Sequence, residues 1–233
     1  MDTMRKLNNQ KKLPVDKSYN YLRVKKIFKT IQGEGPYSGR RALFIRLFGC
    51  NLQCPFCDTD YTGNNYKIAV PPLLEHIRSI WDEDELIVIT GGEPFRQTLV
   101  WELIDELSPN YMVQIETNGT LPIKLRRYAS IVCSPKTPTL HPGAVDYIDH
   151  YKYVIEKGRV SNVDGLPTVA LGLEHSGEVV ARPPDNHRGN VYIQPLDTGV
   201  PTLNRRNLEE CVRIAQEYGY IIQQQLHKQI GVE

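Results

Sequence analysis

Residues 42–59 read ALFIRLFGCNLQCPFCDT, an apolar run followed directly by three closely spaced cysteines. The run Ala42–Phe48 lacks a polar face, which is typical of a strand buried on both sides, as in a parallel sheet. The carboxyl ends of such strands are where α/β folds build their sites. We therefore predict a functional site on the loop that carries Cys50, Cys54 and Cys57.

Three thiolates on so short a loop can converge on one inorganic centre. Three ligands leave one iron of a four-iron, four-sulfur cube free for a cofactor or substrate. Zinc is the competing interpretation, because Cys-x-x-Cys is also half of a zinc site. Structural zinc requires four ligands, however, and no second Cys or His pair lies at a suitable spacing. Cys133 and Cys211 lie in apolar patterns and are expected to be core residues.

Short apolar runs alternate with segments of helical periodicity along the rest of the chain. The further predicted strands are 86–90, 111–116, 130–134, 151–155, 191–194 and 220–224. The predicted helices are 71–81, 98–107 and 203–218, the last with Asn204 as a candidate N-cap. This alternation predicts an α/β fold with a mostly parallel sheet, closed or partly closed.

Composition sets limits on the class of protein. The 233 residues carry 28 Lys+Arg against 27 Asp+Glu, which offers no electrostatic reason for a nucleic-acid or membrane partner. Apolar runs are too short to cross a bilayer, and the N-terminus lacks the apolar core of a signal peptide. An odd number of cysteines, five, favours a reducing compartment, so we expect a cytoplasmic protein. We predict a flexible polar tail over 1–20, one domain over 21–233, and long loops over 156–190.

Several predicted strands end in glycine or polar residues. The paired glycines of Thr90-Gly-Gly-Glu-Pro94 either admit a ligand close to the backbone or form a plain turn. Glu116-Thr-Asn-Gly-Thr120, Ser134-Pro-Lys136 and Gln194-Pro195 follow other strands in the same way. In a parallel sheet these ends meet at one edge.

The spacing Cys-x-x-x-Cys-x-x-Cys resembles the signature of the radical S-adenosylmethionine (radical SAM) superfamily. The resemblance implies an incomplete TIM-like barrel and a [4Fe–4S] cluster on the three cysteines, with the methionyl group of S-adenosylmethionine on the free iron. It also implies that a 5′-deoxyadenosyl radical abstracts hydrogen, so that no side chain is assigned a catalytic role. The cofactor contacts implied in this sequence are Phe56, Cys57, Asp58, Gly92, Glu93, Ser134, Pro135, Lys136 and Gln194.

Segments flanking the cysteines narrow the resemblance. Ile31-Gln-Gly-Glu-Gly35, Phe44-Ile-Arg46, Cys57-Asp-Thr59 and Gln225-Leu-His-Lys228 resemble the family of 7-carboxy-7-deazaguanine synthases, over most of the chain from about Ile27. Such lyase-type enzymes convert 6-carboxy-5,6,7,8-tetrahydropterin to 7-carboxy-7-deazaguanine with loss of ammonia, on the route to queuosine. A homodimer, a flavodoxin-like electron donor and a Mg²⁺ ion on Thr59 are also implied. The implied substrate contacts are Ile31, Gln32, Gly33, Glu34, Arg46, Thr90 and His227.

The residues themselves leave alternatives open. Arg46 offers a bidentate fork for a carboxylate but could equally form a surface salt bridge. Asp58 suits a helix cap or a salt bridge, and His227 could reach the substrate or merely finish the last strand. Two other functions remain. An activase of a glycyl-radical partner shares the cysteines but has no need of Gln32, Arg46 or Thr59, and a zinc-binding module would have no catalysis.

Overall fold

The computed structural model describes residues 8–171 and 177–233. Residues 1–7 of the predicted tail and residues 172–176 of the predicted loop region lie outside the described residues. The strands are β1 (Leu22–Ile31), β2 (Arg41–Leu47), β3 (Tyr66–Ile68), β4 (Leu86–Gly91), β5 (Met112–Thr117), β6 (Ser130–Cys133), β7 (His150–Ile155), β8 (Val191–Pro195) and β9 (Ile221–Ile222). The helices are α1 (Val70–Ile80), α2 (Val100–Leu107), α3 (Pro142–Val145), α4 (Pro201–Tyr218) and α5 (Leu226–Gln229).

All nine of these strands join one sheet, in the order β3-β1-β2-β4-β5-β6-β7-β8-β9. Pairing is parallel from β2 through to β9, and only β1 pairs antiparallel, with β2 and β3. In this order β3 and β9 are the two free edges, so the barrel stays open. The predicted α/β fold with a partial parallel barrel is confirmed.

The parallel strands are apolar on both faces, as their sequences predict. In β4 the side chains from Leu86 to Ile89 have no exposed surface. One face packs under the helices, where Leu73 and Ile77 of α1 and Ile214 of α4 join the main core. The other face carries a smaller cluster of Ala42, Leu86 and Val88, packed against Phe44 and Met112. Burial on both faces holds the strand ends at fixed positions around the site.

Helix α4 differs from the prediction at its start. Its N-cap is Val200, and Pro201 occupies the first turn, where the missing N–H costs no hydrogen bond. Asn204 is therefore not the cap. Its side-chain oxygen instead accepts hydrogen bonds from Thr198, at 2.8 Å, and its amide donates to Asp197. The residue thus braces the loop that follows β8.

The segments after α4 and before β1 also differ from what the sequence predicts. Strand β9 ends at Ile222, although the backbone N–H of Gln223 still donates to the Ile193 carbonyl at 2.8 Å. The side chain of Gln223 exchanges two 2.9 Å hydrogen bonds with the backbone of Gly35. The structure places residues 8–16 on the cysteine loop, with a parallel bridge between Asp16 and Gln97. The division of the chain at residue 20 stays a prediction.

No helix within residues 8–171 or 177–233 has both the length and the apolar character that crossing a bilayer requires.

Candidate active site

A cavity of about 410 Å³ opens at the carboxyl ends of the parallel strands. Most of the residues predicted from the sequence line it: Ile31, Gln32, Glu34, Arg46, Cys50, Cys54, Phe56, Cys57, Asp58, Thr59, Thr90, Gly92, Ser134, Lys136, Gln194 and His227. Three predicted residues, Gly33, Glu93 and Pro135, do not. The sheet thus brings segments more than a hundred residues apart in the chain to one cavity.

The three cysteines form one wall of this cavity, which we call the thiol wall. The loop is tightened by a 3.1 Å hydrogen bond from the Cys57 N–H to the Cys54 carbonyl. Burial raises the pKa of the Cys50 thiol to about 12, and it also raises the pKa values of Cys54 and Cys57 above their ordinary range. Without a metal the wall is therefore neutral, and bound iron would have to displace the protons.

The donor set fits an iron–sulfur cluster better than a single ion. Among the described residues, no three His, Cys, Asp or Glu side chains converge closely enough to hold one metal ion. In a four-iron cube each cysteine binds a different iron, so the three sulfur atoms need not meet at a point. All five cysteines are free thiols. One buried thiol, Cys50, and two half-buried thiols, Cys54 and Cys57, face one cavity, and three such thiols are the ligands that a cluster of this kind takes.

The paired glycines pack against the cysteine loop. A side chain at Gly91 would overlap the Leu47 backbone, and one at Gly92 would overlap the Gly49 carbonyl and the Cys50 side chain. The close approach that the two glycines permit is therefore made by the backbone of this chain, in addition to any ligand. The Glu93 N–H donates to the Gly49 carbonyl at 3.0 Å, which fixes the turn to the loop.

Glu93 points behind the cavity. Its carboxylate accepts hydrogen bonds from the Thr117 hydroxyl at 2.8 Å and the Asn118 N–H at 2.7 Å. It has no exposed surface, and burial raises its pKa to about 7. Asn118 also donates from its side chain to Asn51, between two of the cysteines, at 2.9 Å. Glu93 thus joins the ends of β4 and β5 behind the thiol wall.

An ion-pair wall faces the same cavity and consists of Glu34, Glu116 and Lys152. The Lys152 ammonium contacts both carboxylates, with 2.8 Å to Glu116 and a close contact to Glu34. Burial opposes ionisation of Glu34 and Lys152, but the opposite charges outweigh it. They lower the pKa of Glu34 and raise that of Lys152. The wall is charged and already satisfied without a ligand.

Amide side chains complete the ion-pair wall. Gln225 donates to Glu34 at 2.7 Å, and Gln32 donates to Glu116 at 3.4 Å. Its two carboxylates and one ammonium give the ion-pair wall a formal charge of −1. It therefore presents acceptors to hydrogen-bond donors on a ligand.

Arg46 extends from β2 beside this wall. Its guanidinium lies 5.0 Å from the centre of the Phe28 ring and 3.3 Å from a Glu233 carboxylate oxygen. Its Nε is buried without a hydrogen-bond partner, as is Oε1 of Gln194 across the cavity. Unsatisfied buried polar atoms are rare. Two of them on one cavity indicate a polar ligand.

The neighbours of Cys57 are held by the C-terminal segment. Asp58 forms a salt bridge with Lys228 at 2.9 Å and accepts a hydrogen bond from Gln225, so its role as a salt-bridge partner is observed and no helix begins there. His227 lies on α5, so it does not finish the last strand, and its ring packs against Gly33. Burial lowers its pKa. The Thr59 hydroxyl lies on the cavity surface, 3.5 Å from Asp58.

A smaller cavity of about 100 Å³ adjoins the thiol wall. Phe56, Pro135 and Lys136 line it together with apolar residues such as Val169 and Leu171. Lys136 donates to the carbonyl and hydroxyl of Ser134, and burial lowers its pKa. The predicted contact of Phe56 with S-adenosylmethionine is compatible with this apolar surface and stays a prediction.

Sequence reasoning missed the ion-pair wall as a unit. Lys152 is a single charge within the otherwise apolar strand Tyr-Lys-Tyr-Val-Ile, and Glu116 ends a strand of similar character. Charged residues are seldom buried unless they are paired. Opposite charges inside two buried strands were therefore a usable signal, although only the sheet order shows that the two strands lie on either side of β6.

Comparison with known proteins gives consistent matches. Residues 44–141 match the model of the Radical SAM superfamily. The chain is 42% identical over 215 residues to the 7-carboxy-7-deazaguanine synthase of Rhodospirillum rubrum, covering 88% of this chain and 90% of that protein. It is 36% identical over 224 residues to the synthase of the same name from Rickettsia prowazekii, covering 91% and 89%.

A solved structure, that of QueE from Escherichia coli, superposes with a TM-score of 0.67. It covers 88% of this chain and 94% of its own, at 23% sequence identity. At that identity the likeness concerns the fold, and it agrees with the open, mostly parallel sheet.

Proposed function

The chain belongs to the family of 7-carboxy-7-deazaguanine synthases within the radical SAM enzymes, and we propose that its cavity converts 6-carboxy-5,6,7,8-tetrahydropterin to 7-carboxy-7-deazaguanine. The reaction contracts the pterin ring with loss of ammonia and serves queuosine biosynthesis. One observation carries the assignment. The thiol wall and Arg46 face the same cavity, and Arg46 has an unpartnered Nε although its Nη1 forms a salt bridge with Glu233 at 3.3 Å.

The enzyme uses a [4Fe–4S] cluster and S-adenosylmethionine. Cys50, Cys54 and Cys57 would hold the cluster, and the Gly92 turn, Ser134, Lys136 and Gln194 would contact S-adenosylmethionine. When bound, the two groups supply the electron and the radical that removes a hydrogen atom from the substrate. The chain contributes orientation and exclusion of water, because the cavity is walled by strands that are buried on both faces.

The substrate is oriented by two kinds of group. Arg46 offers its fork to the substrate carboxylate, and stacking on Phe28 holds the guanidinium plane in place. The carboxylate oxygens of Glu34 and Glu116 accept hydrogen bonds from the amino and ring N–H donors of the pterin. The resemblance implies that the backbone of 31–33 would contact the pterin edge. Ile31 and Gln32 line the cavity, and the His227 ring packs against Gly33.

A Mg²⁺ ion on Thr59 is part of the proposal. The hydroxyl lies on the cavity surface beside Asp58, so an ion there would complete its octahedron with substrate oxygens and water. Its expected role is to hold the substrate carboxylate during the rearrangement. Isothermal titration of the substrate with and without Mg²⁺, using the Thr59→Val variant as control, tests this assignment.

The decisive experiment is identification of the product. Anaerobically reconstituted protein, given a reductant and S-adenosylmethionine, is expected to convert carboxytetrahydropterin to a product with the mass of 7-carboxy-7-deazaguanine. A Cys54→Ala variant prepared in the same way is the control. Cleavage of S-adenosylmethionine without any change in the pterin would refute the substrate and leave the cofactor assignment standing.

A glycyl-radical activase would use the same thiol wall. The ion-pair wall and Arg46 have no function in that reaction, whose substrate is a backbone glycine of another protein. The two functions are therefore separated by the effect of Arg46→Ala, which a small carboxylated substrate makes large and an activase makes small.

Further properties follow from the resemblance and complete the proposal. A homodimer and a flavodoxin-like electron donor are proposed, to be tested by light scattering and by reduction of the cluster with purified flavodoxin. A cytoplasmic location is proposed and is supported by the five free thiols.

A further inference from the structure

Residues 8–16 cross the outer side of the cysteine loop, and we call this segment the strap. The backbone N–H of Asn8 donates to the Pro55 carbonyl at 3.1 Å, and that of Leu13 donates to the Cys50 carbonyl at 2.7 Å. The side-chain amide of Asn8 donates to the Cys54 carbonyl at 3.0 Å. Carbonyls of two of the three predicted iron ligands are thus bound by the strap.

Gln10 is the centre of the strap. Its side-chain oxygen accepts hydrogen bonds from the Tyr61 N–H at 2.7 Å and from the Thr62 N–H and hydroxyl at 3.1 Å each. Its side-chain nitrogen donates to the Thr59 carbonyl at 2.9 Å. The same carbonyl lies 3.6 Å from the sulfur of Cys57. One amide therefore sets the position of the backbone beside the third cysteine.

The loop depends on such partners because it has no regular structure of its own. Between β2 and β3 the chain forms no helix or strand, so its polar backbone groups need partners outside a ladder. Arg96 anchors the strap at its other end, donating to the Pro14 carbonyl at 2.7 Å and to the Phe48 carbonyl at 2.9 Å. The strap is therefore held at both ends of the cysteine loop.

We propose that Asn8 and Gln10 are positioning residues that hold the cysteine loop in the shape that retains the [4Fe–4S] cluster. The strap lies outside residues 44–141, which match the superfamily model. The proposal rests on the binding of the cluster that the proposed function requires. It concerns retention of the cluster and is independent of which substrate is converted.

The test compares Gln10→Ala with Asn9→Ala in anaerobically reconstituted holoprotein. Asn9 is an exposed amide between the two positioning residues and is the matched control. The brown absorbance is followed after addition of an iron chelator, together with iron and sulfide content. Because Gln10→Ala removes several hydrogen bonds from the loop, we expect loss of the cluster to be about tenfold faster than in the unmodified protein. Asn9→Ala is expected to lose it at the unmodified rate.

A second variant separates the two halves of the Gln10 amide. Gln10→Glu keeps an acceptor for Tyr61 and Thr62 but cannot donate to the Thr59 carbonyl. Its rate of cluster loss is therefore expected to lie between that of the unmodified protein and that of Gln10→Ala. The electron paramagnetic resonance spectrum of the reduced cluster should change in Gln10→Ala, which a merely structural effect on folding would not produce. The unfolding temperature of the metal-free variants separates general destabilisation from loss of the cluster.

Three outcomes decide the matter. Equal rates and spectra for Gln10→Ala and the unmodified protein would overturn the positioning role while the proposed function stands. Equal acceleration in Asn9→Ala would overturn it as well, because the effect would then belong to any change in the strap. An unmodified protein that never takes up a cluster would overturn both the proposed function and the role of the strap.

Discussion

The thiol wall and the ion-pair wall border one cavity but stand in opposite states. Burial raises the pKa of all three thiols, that of Cys50 to about 12, and it outweighs the nearby Lys136 ammonium, which acts in the opposite direction on Cys54 and Cys57. The thiols are therefore neutral. In the ion-pair wall, Lys152 already contacts Glu34 and Glu116, and the side chain of Lys152 is only 8% exposed. The thiol wall gains a partner only when a group binds to it, whereas the charged groups of the ion-pair wall are already paired with one another.

The difference agrees with the chemistry that we propose for each wall. Iron displaces protons from thiols when it binds. In the metal-free protein the neutral thiol wall therefore avoids the cost of burying three negative charges. A pterin brings hydrogen-bond donors and no compensating charge, so the acceptors that receive it must already be ionised and oriented. Four predictions test this contrast, beginning with the largest effect.

The thiol wall should fail entirely when one ligand is removed. Alanine at Cys50, Cys54 or Cys57 is expected to abolish the brown absorbance of reconstituted protein, because two thiolates cannot hold the cube. The matched control is Cys211→Ala, which removes a buried cysteine of α4 and should leave the absorbance unchanged. A full cluster in any of the three ligand variants would contradict the assignment of that residue.

The ion-pair wall should respond in stability before any ligand is present. Lys152→Met leaves two carboxylates without their counter-ion, and we expect the free energy of unfolding to fall by about 3 kcal/mol in urea titrations of the metal-free protein. Lys157→Met changes an exposed lysine two positions beyond the strand and should cost less than about 0.5 kcal/mol. Equal stability of the two variants would show that the wall is not preorganised.

Arg46 should affect binding of the substrate more than stability. Arg46→Ala removes the proposed carboxylate fork, so we expect kcat/KM for carboxytetrahydropterin to fall about a hundredfold. Arg46→Lys keeps the charge without the fork and should lie in between. Arg41→Ala, on the same strand but bound to Asp82 and Glu85 at the surface, is the control. A rate for Arg46→Ala like that of the control would place the carboxylate elsewhere.

Glu93 should give the smallest effect, visible as a dependence on pH. Burial raises its pKa in the folded protein to about 7, above the ordinary value, so the folded state binds the proton more tightly than the unfolded state. The stability this contributes is fully present below the unfolded pKa of about 4.3 and is lost as the pH rises through about 7.

The matching experiment is urea unfolding of the metal-free protein between pH 5 and pH 8. Relative to Glu93→Gln, the unmodified protein is expected to lose on the order of 2 kcal/mol over that range. A difference that stays constant with pH would show that Glu93 is ionised throughout. Glu93, behind the thiol wall, would then be a buried charged group, as in the ion-pair wall.

Local patterns predicted most of the elements that carry the site. Strands β2, β4, β5, β6, β7 and β8 follow from apolar runs, because burial on both faces leaves the same signature wherever it occurs. The antiparallel strand β1 was missed, since its half-exposed face dilutes that signature. The predicted strand over 220–224 was too long, since only Ile221 and Ile222 pair with β8. The side chain of Gln223 bonds to Gly35, nearly two hundred residues away, and a local pattern cannot show such a contact.

The residues of the candidate site also divide into those that local sequence predicts and those that only the structure reveals. Cysteine spacing, the paired glycines and the polar strand ends are local features, so residues of the thiol wall and most of the cavity surface could be named in advance. Glu93 was expected to face the cofactor, but its carboxylate is held behind the wall by Thr117 and Asn118. The direction of a side chain at a turn depends on which neighbours offer it hydrogen bonds.

By itself, the sequence determined the class of fold, through strand and helix patterns that alternate along the chain. The spacing within one short stretch predicted the cluster ligands and the edge of the sheet where they lie. Only the tertiary structure decided that Lys152 meets two carboxylates and that residues 8–16 support the cysteine loop. Both arise from pairings between distant segments. The strand order sets which distant groups are brought within hydrogen-bond distance, and no local pattern contains that order.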